Sequence, residues 1–206
     1  MEYPRKLVIA TRNVKKRGEM AQILGAAGLS LELLTLDDFP DAPDVEETGA
    51  TFMENAHLKA AAAVNATGLV AIADDGGLCI DALDGQPGVK SHRFLGQDTP
   101  FTEKMAKILG MMQNVPEEAR TCRFQSAVVI AAPDGKTAEC LGVCEGRVAW
   151  EQGGTFGFGY DPIFFLPERG KRMAELPSEE KHRISHRGKS LACATEHLRQ
   201  FFAELS

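Results

Sequence analysis

Val70–Asp81 reads VAIADDGGLCID: small and apolar residues run into Asp74 and Asp75, and these into Gly76 and Gly77. The apolar run predicts a strand over Leu69–Ala73, and its meeting with two carboxylates admits two readings. Asp and Gly are common where strands stop, because they suit turns and tolerate unusual backbone angles. Side chains at the carboxyl end of a strand also project into the crevice where α/β proteins bind ligands, and two carboxylates there could hold a divalent cation and activate a water. Side-by-side carboxylates repel by about 1 kcal/mol at contact even when well screened. A cation between them and an anionic ligand removes that penalty, and Gly76 and Gly77 leave room for the backbone to approach a ligand.

Outward from this strand, strands and helices alternate. KLVIA (Lys6–Ala10) reads as a buried strand, Thr11-Arg12-Asn13 as a turn, and the following segment as a helix with Val14, Met20, Ile23, Leu24 and Ala27 on its apolar side, stopped by Gly28. LELLTL (31–36) is a second strand, and an Asp- and Pro-rich loop (Asp37–Val45) leads from it to Glu46 and Glu47. TFMENAHLKAAAAVNA (Thr51–Ala66) predicts a helix with Asn55 and Lys59 on one face, ended by Gly68. An amphipathic helix is expected over Phe101–Gln113. The runs Thr121–Ala132 and Thr137–Val143 flank a Pro133–Lys136 turn, which signals a hairpin. A glycine-dense loop, GGTFGFGYDPIF (153–164), precedes a last helix from about Lys189 to Leu205. The β-α-β-α-β order followed by a hairpin predicts an α/β fold: a mixed, mostly parallel central sheet flanked by helices. With 206 residues, no internal repeat and no long linker, residues 1–206 are expected to form a single domain.

Composition narrows the function. Hydrophobic content of 44% and charged content of 25% are those of a globular protein, no charged-then-apolar leader is present, and no apolar run approaches the ~20 residues of a membrane span. A net charge of -6 argues against a nucleic-acid partner. Positive charge is gathered into knots at Lys15–Arg17, Lys171–Arg172, Lys181–Arg183 and His186–Arg187. Each knot alone reads as a solvated face, and together they suit a small anionic ligand better than a long polyanion. Five scattered cysteines without a C-x-x-C pair read as reduced thiols of a cytoplasmic protein, with no zinc site.

The first βα junction, ATRNVKKRGE, offers helix N–H groups and a positive dipole end suited to a phosphate. Lys15, Lys16 and Arg17 are electrostatically unfavourable there, and a bound anion compensates them. In EETGATFMENAHLKA, the acids read either as caps or as a cation ligand, Glu46, beside a phosphate-binding Lys59. TFGFGYDPIF is either an edge strand or loop, or an aromatic and backbone surface for a flat base. EEKHRISHRGKS is a cation-dense loop before the final helix.

Together these residues closely resemble the non-canonical purine nucleoside triphosphate pyrophosphatases, the inosine/xanthosine triphosphatase or HAM1-like family. T-x-N-x-x-K is met by Thr11, Asn13 and Lys16, E-x-x-G by Glu46 and Gly49, the helix lysine by Lys59, and the doublet by Asp74-Asp75. F-G-Y-D is met at Phe158, Gly159, Tyr160 and Asp161, and K-x-x-x-x-H-R at Lys181, His186 and Arg187. The motifs span almost the whole chain, in order. The resemblance implies an elongated two-lobed homodimer that cleaves inosine, deoxyinosine or xanthosine triphosphate, with Mg2+, to the monophosphate and pyrophosphate. By that likeness Asp75 is the proton acceptor and a Mg2+ ligand, Glu46 a second ligand, and Asp74 a support of the metal's water shell. Thr11, Arg12, Asn13, Val14, Lys15, Lys16 and Lys59 would hold the triphosphate. Phe158 to Asp161, Lys181, His186 and Arg187 would hold base and sugar, with N–H donors from Arg187 or nearby backbone reading the purine keto oxygen. Arg12, Lys15 and Gly76 depart from residues common in relatives. Gly76 stands where serine is frequent, so backbone N–H must replace any hydroxyl contact to substrate there. Two other functions fit less of the chain: a hydrolase of another modified nucleotide, and a nucleotide-binding regulator without catalysis.

Overall fold

The computed structural model describes residues 5–204. Strands β1 (Arg5–Ile9), β2 (Leu31–Thr35) and β3 (Val70–Ile80) alternate with helices α1 (Val14–Ala26) and α2 (Phe52–Thr67). Then follow α3 (Phe101–Met111), β4 (Thr121–Ala131), β5 (Thr137–Val148), β6 (Phe164–Leu166), β7 (Lys171–Arg172), α4 (Ser178–Ile184) and α5 (His186–Glu204). The last helix starts earlier than expected, and Leu205 lies outside the described residues.

The strand order is β2-β1-β3-β4-β5-β6-β7. β1 pairs in parallel with β2 and β3, whereas β5–β6 and β6–β7 are antiparallel. β4 turns back into β5 at a tight turn closed by the Ala132 N–H donating to the Lys136 carbonyl at 2.9 Å. The sheet is mixed, as expected, but not mostly parallel. Parallel neighbours need a long crossover, which α1 and α2 supply, and the short β4–β5 and β6–β7 links cannot.

β3 also departs from expectation. It runs through the aspartates for 11 residues instead of ending at Ala73. Asp74 and Asp75 lie within it, 0% and 5% exposed. What ends near them is the parallel neighbour: pairing with β1 stops at Ile9–Ile72, and the Ala10 N–H donates to the Ile72 carbonyl at 2.8 Å. The switch from apolar to acidic residues therefore marks the end of β1, and the aspartates stand just beyond it.

Contacts divide the chain into two compact units. The first comprises the chain through Asp75, Ser126–Gly142 and the chain from Arg187 onward, and the second Gly76–Gln125 and Val143–His186. In the first, Leu7, Ile9, Met20, Leu24, Ile72, Val128, Ile130 and Leu198 form the core. Val14, expected on the buried side of α1, is 66% exposed. At 100° per residue it lies about 80–120° round the helix from the Met20–Leu24 stripe. In the second unit, Ile80, Ile108, Met112, Phe124, Phe164 and Met173 pack together.

The cysteines require a further correction. Cys140 and Cys193 form a disulfide across 53 residues of sequence, so this pair is not reduced. The separation conceals it, because the pairing arises from β5 meeting α5. Cys79, Cys122 and Cys144 are buried and lie outside this disulfide.

Gly77 has a packing role. A Cβ there would lie 2.2 Å from Ser91 Oγ and 2.7 Å from the Gly88 carbonyl oxygen. Ser91 Oγ accepts from the Leu78 N–H at 3.0 Å and donates to that carbonyl at 2.7 Å, so it has little freedom to retreat. Gly77→Ala should therefore lower stability by about 1–3 kcal/mol in denaturant unfolding. An unchanged midpoint would mean that the 88–91 turn yields freely.

Candidate functional site

In the first unit, cations from three helices converge on the aspartates. Arg187, near the start of α5, donates from Nε and Nη2 to Asp74 Oδ2 at 3.1 and 2.9 Å, and from Nη1 to Glu19 at 2.7 Å. Lys16 of α1 places its Nζ 3.4 Å from Asp74 Oδ2 and 4.0 Å from Asp75 Oδ1. Lys59 of α2 reaches Asp75 Oδ1 at 3.2 Å and Glu47 at 2.9 Å. The fully buried Asn55 donates to Asp75 Oδ2 at 3.0 Å and accepts the Gly49 N–H at 2.8 Å. Gly49 has to be glycine for this contact, since a Cβ would stand 2.7 Å from Asn55 Oδ1.

These surroundings drive the two carboxylates apart. Burial opposes ionisation of Asp74, but Lys16 foremost, then Arg187 and Lys59, outweigh it and hold its carboxyl well below the usual range. Burial pushes Asp75 upward with help from Glu47, against the pull of Lys59 and Lys16. Burial also lowers Lys16, and Lys59 and Arg187 add repulsion against the attraction of Asp74. Asp74 Oδ1 is buried without a hydrogen-bond partner. A buried, unpartnered carboxylate oxygen beside a carboxyl raised by desolvation is a donor set that fits a hard divalent cation.

The preceding loop supplies a glutamate that the sequence reading passed over. Glu47, not Glu46, shares Lys59 with Asp75, while Glu46 is exposed. Adjacent glutamates in a loop carry no periodicity to say which one turns inward. Among the described residues, no three acidic side chains bring ligand oxygens within 4.8 Å of one another. Lys59 occupies the space between Glu47 and Asp75.

At the α1 start, Asn13 is the N-cap: its Oδ1 accepts from the Lys15 and Lys16 N–H groups at 3.1 and 3.2 Å. Thr11 Oγ1 accepts from the Asn13 N–H at 3.2 Å. Arg12 turns to the 42–44 loop, donating to the Ala42 carbonyl at 2.8 Å and pairing with Asp44. Lys15 and Val14 face solvent.

The second unit gathers a separate set. Lys181 Nζ pairs with Asp161 at 2.7 Å, both side chains buried, and lies 4.8 Å from the centre of the Phe158 ring. Asp161 also accepts the Phe158 N–H at 2.8 Å. Gly157, at φ 72, makes room for that carboxylate, because a Cβ would fall 2.1 Å from Asp161 Oδ2. Gly159 also adopts a left-handed backbone. Tyr160 donates to the Ser91 carbonyl at 2.9 Å and packs edge-on to Phe101, and His186 stacks on Phe124 at 4.7 Å. Arg187, expected with these residues, holds Asp74 in the first unit.

Fold and site together define an α/β protein built around a carboxylate pair held among cations, with an aromatic–glycine loop elsewhere in the chain. Residues 7–197 match the Ham1 family, and the chain belongs to that family. It is 49% identical over 193 residues to a dITP/XTP pyrophosphatase of Geobacter sulfurreducens, covering 94% of this chain and 96% of that one. It is 50% identical over 187 residues to a dITP/XTP pyrophosphatase of Geobacillus kaustophilus, covering 91% of each. Among solved structures it resembles a HAM1 protein of Coxiella burnetii, with a TM-score of 0.86, 38% identity, and 95% and 99% of the two chains covered.

Arg187→Met should be strongly destabilising, because it removes two hydrogen bonds to buried Asp74 and leaves its charge to Lys16, 3.4 Å away. Breaking such a pair costs about 3–5 kcal/mol, readable by denaturant unfolding near neutral pH. Wild-type stability in this variant would show that Lys16 alone neutralises Asp74.

Proposed function

We propose that the protein is a nucleoside triphosphate pyrophosphatase acting on inosine, deoxyinosine and xanthosine triphosphates. It hydrolyses the bond between the α- and β-phosphates to release the monophosphate and pyrophosphate, which keeps deaminated purines out of DNA and RNA. The carrying observation is the gathering of Lys16, Lys59 and Arg187 on Asp74–Asp75 in a chain whose close relatives are dITP/XTP pyrophosphatases.

Phosphoryl chemistry rests mostly on positioning and charge neutralisation. Lys16 and Lys59 hold the triphosphate, with the Thr11–Lys15 turn framing it. A substrate phosphate beside Lys16 adds the negative charge that burial and its cationic neighbours make it lack. Asp75 accepts the proton of the attacking water. Its raised carboxyl moves its basicity toward neutral pH, where a general base is most useful. Asn55 fixes the orientation of that carboxylate. Arg187 holds Asp74 in place and, behind Lys16, helps to keep it ionised.

Mg2+ is the proposed cofactor, which Asp75 and a glutamate of the 46–47 pair would hold, with Asp74 in support. When bound, it supplies positive charge against the phosphates and lowers the pKa of a coordinated water. Glu46 comes from the motif. Glu47 has the geometric support of sharing Lys59 with Asp75.

Phe158 to Asp161, Lys181 and His186 take base and sugar. Arg187 is committed to Asp74 and Glu19, so backbone N–H groups are the proposed donors that read the keto oxygen. Adenine would set an amino group against a donor, and an unpaired buried polar group costs about 1–3 kcal/mol. Sites built on such pairing discriminate more strongly still. Homodimeric assembly and cytoplasmic residence complete the proposal and rest on the family likeness.

Incubation with Mg2+ and a panel of inosine, deoxyinosine, xanthosine, adenosine and guanosine triphosphates tests it. Pyrophosphate should appear with the deaminated purines and adenosine triphosphate should be nearly untouched. Asp75→Asn should abolish turnover while nucleotide binding persists. Orthophosphate as product, or near-normal turnover by Asp75→Asn, would overturn the assignment.

A further inference from the structure

Away from the aspartates, the first unit brings Cys140, Cys193 and His197 together. One ligand atom from each lies within 4.8 Å of the other two. Cys193 and His197 stand four apart on α5 and so share a helix face, and Cys140 projects from β5 with its Cα 5.9 Å from that of Cys193. Cys140 is 3% exposed, while Cys193 and His197 are half-buried. The cluster is therefore anchored in the core and reachable from outside.

We propose that this cluster is a redox-gated site for a thiophilic divalent cation, of which Zn2+ is the type. It is closed as the Cys140–Cys193 disulfide and opened by reduction. A dithiol reductant of the thioredoxin kind transfers two electrons and two protons to the disulfide. The Cys140–Cys193 bond breaks, two thiols form, and the reductant becomes a disulfide. Metal binding then releases both thiol protons, leaving two thiolates and the neutral His197 imidazole as ligands.

Ligand chemistry and geometry both support the site. The ligand types are those zinc selects, at bond lengths of about 2.3 Å to sulfur and about 2.0 Å to nitrogen, which set the tetrahedral sulfurs about 3.8 Å apart. Freed of their bond, two cysteines on adjoining elements need only side-chain rotation to reach that separation. Cys140 of β5 contributes the third ligand where that strand meets α5, and the other two come pre-aligned on a single helix. The fourth position is left to water, as in three-ligand zinc sites. The other cysteines do not compete, since Cys79, Cys122 and Cys144 are buried in the second unit. The cluster is also chemically distinct from Asp74 and Asp75, whose oxygens favour hard cations.

Co2+ is the probe, because thiolate ligation gives it a charge-transfer absorption that carboxylate ligation does not. The full-length protein is reduced with a phosphine, freed of reductant without air and titrated with Co2+. A thiolate band should grow to one equivalent, Zn2+ should displace it, and the oxidised protein should give none. Cys193→Ser should lose the band completely while pyrophosphatase activity with Mg2+ is kept. His197→Ala should retain thiolate absorption with weakened binding. Absence of a band in the reduced wild-type protein would overturn the proposal, and this arm requires no variant to fold. Persistence of the band in folded Cys193→Ser would overturn it equally, by assigning the absorption to the buried thiols.

Discussion

The pairing of Asp74 with Arg187 is the constraint on which the site depends. A fully buried carboxylate in the middle of a strand is not tolerable alone. It survives because α5 begins where its second residue can present two guanidinium nitrogens to one oxygen, while Glu19 engages a third. The same contact ties the end of the sequence to β3 and α1. The site is thus assembled by the first unit's own packing. Such a pair contributes little net stability, since desolvation offsets most of the attraction. Together with Lys16 it does hold Asp74 ionised, and so shapes the field in which Asp75 operates.

Within that field, neighbouring identical residues acquire different roles. Asp74 collects two strong cations and is held acidic; Asp75 receives an amide and a lysine shared with Glu47, and burial prevails. The sign has consequences for stability. A carboxyl lowered by folding stabilises above its unfolded pKa of about 3.9, and that contribution is lost only as pH falls through the folded value. Ionised Asp75, raised by folding, opposes the fold above its unfolded value. This strain is localised at the group proposed to take a proton, a distribution common at functional sites.

Much of this was legible in the sequence where signals are local. KLVIA, LELLTL and the Pro133–Lys136 turn specify β1, β2 and the β4–β5 hairpin through short-range patterns, and the alanine-rich run specifies α2 with Asn55 and Lys59 on one face. What failed depended on distant partners. DDGG carries turn residues, yet β3 continues through them because its pairing beyond β1 is decided elsewhere in the sheet. Gly77 reads as space for a ligand, and Ser91 occupies that space. Arg187 reads with its neighbour His186, but the two side chains join different units. Glu47 and the Cys140–Cys193 bond are likewise tertiary facts. The motif residues Lys16, Lys59, Asp74 and Asp75, distant in sequence, do meet as a cluster.

The central claim is that burial and an unequally shared set of cations give adjacent aspartates opposite acidities. Carboxylate carbon NMR, followed through a pH titration of the metal-free, nucleotide-free protein with Asp74→Asn and Asp75→Asn for assignment, measures this directly. Asp75 should titrate above the ordinary aspartate value of about 3.9 and Asp74 below it. A coincident titration of both at the ordinary value, or the reverse order, would contradict the arrangement.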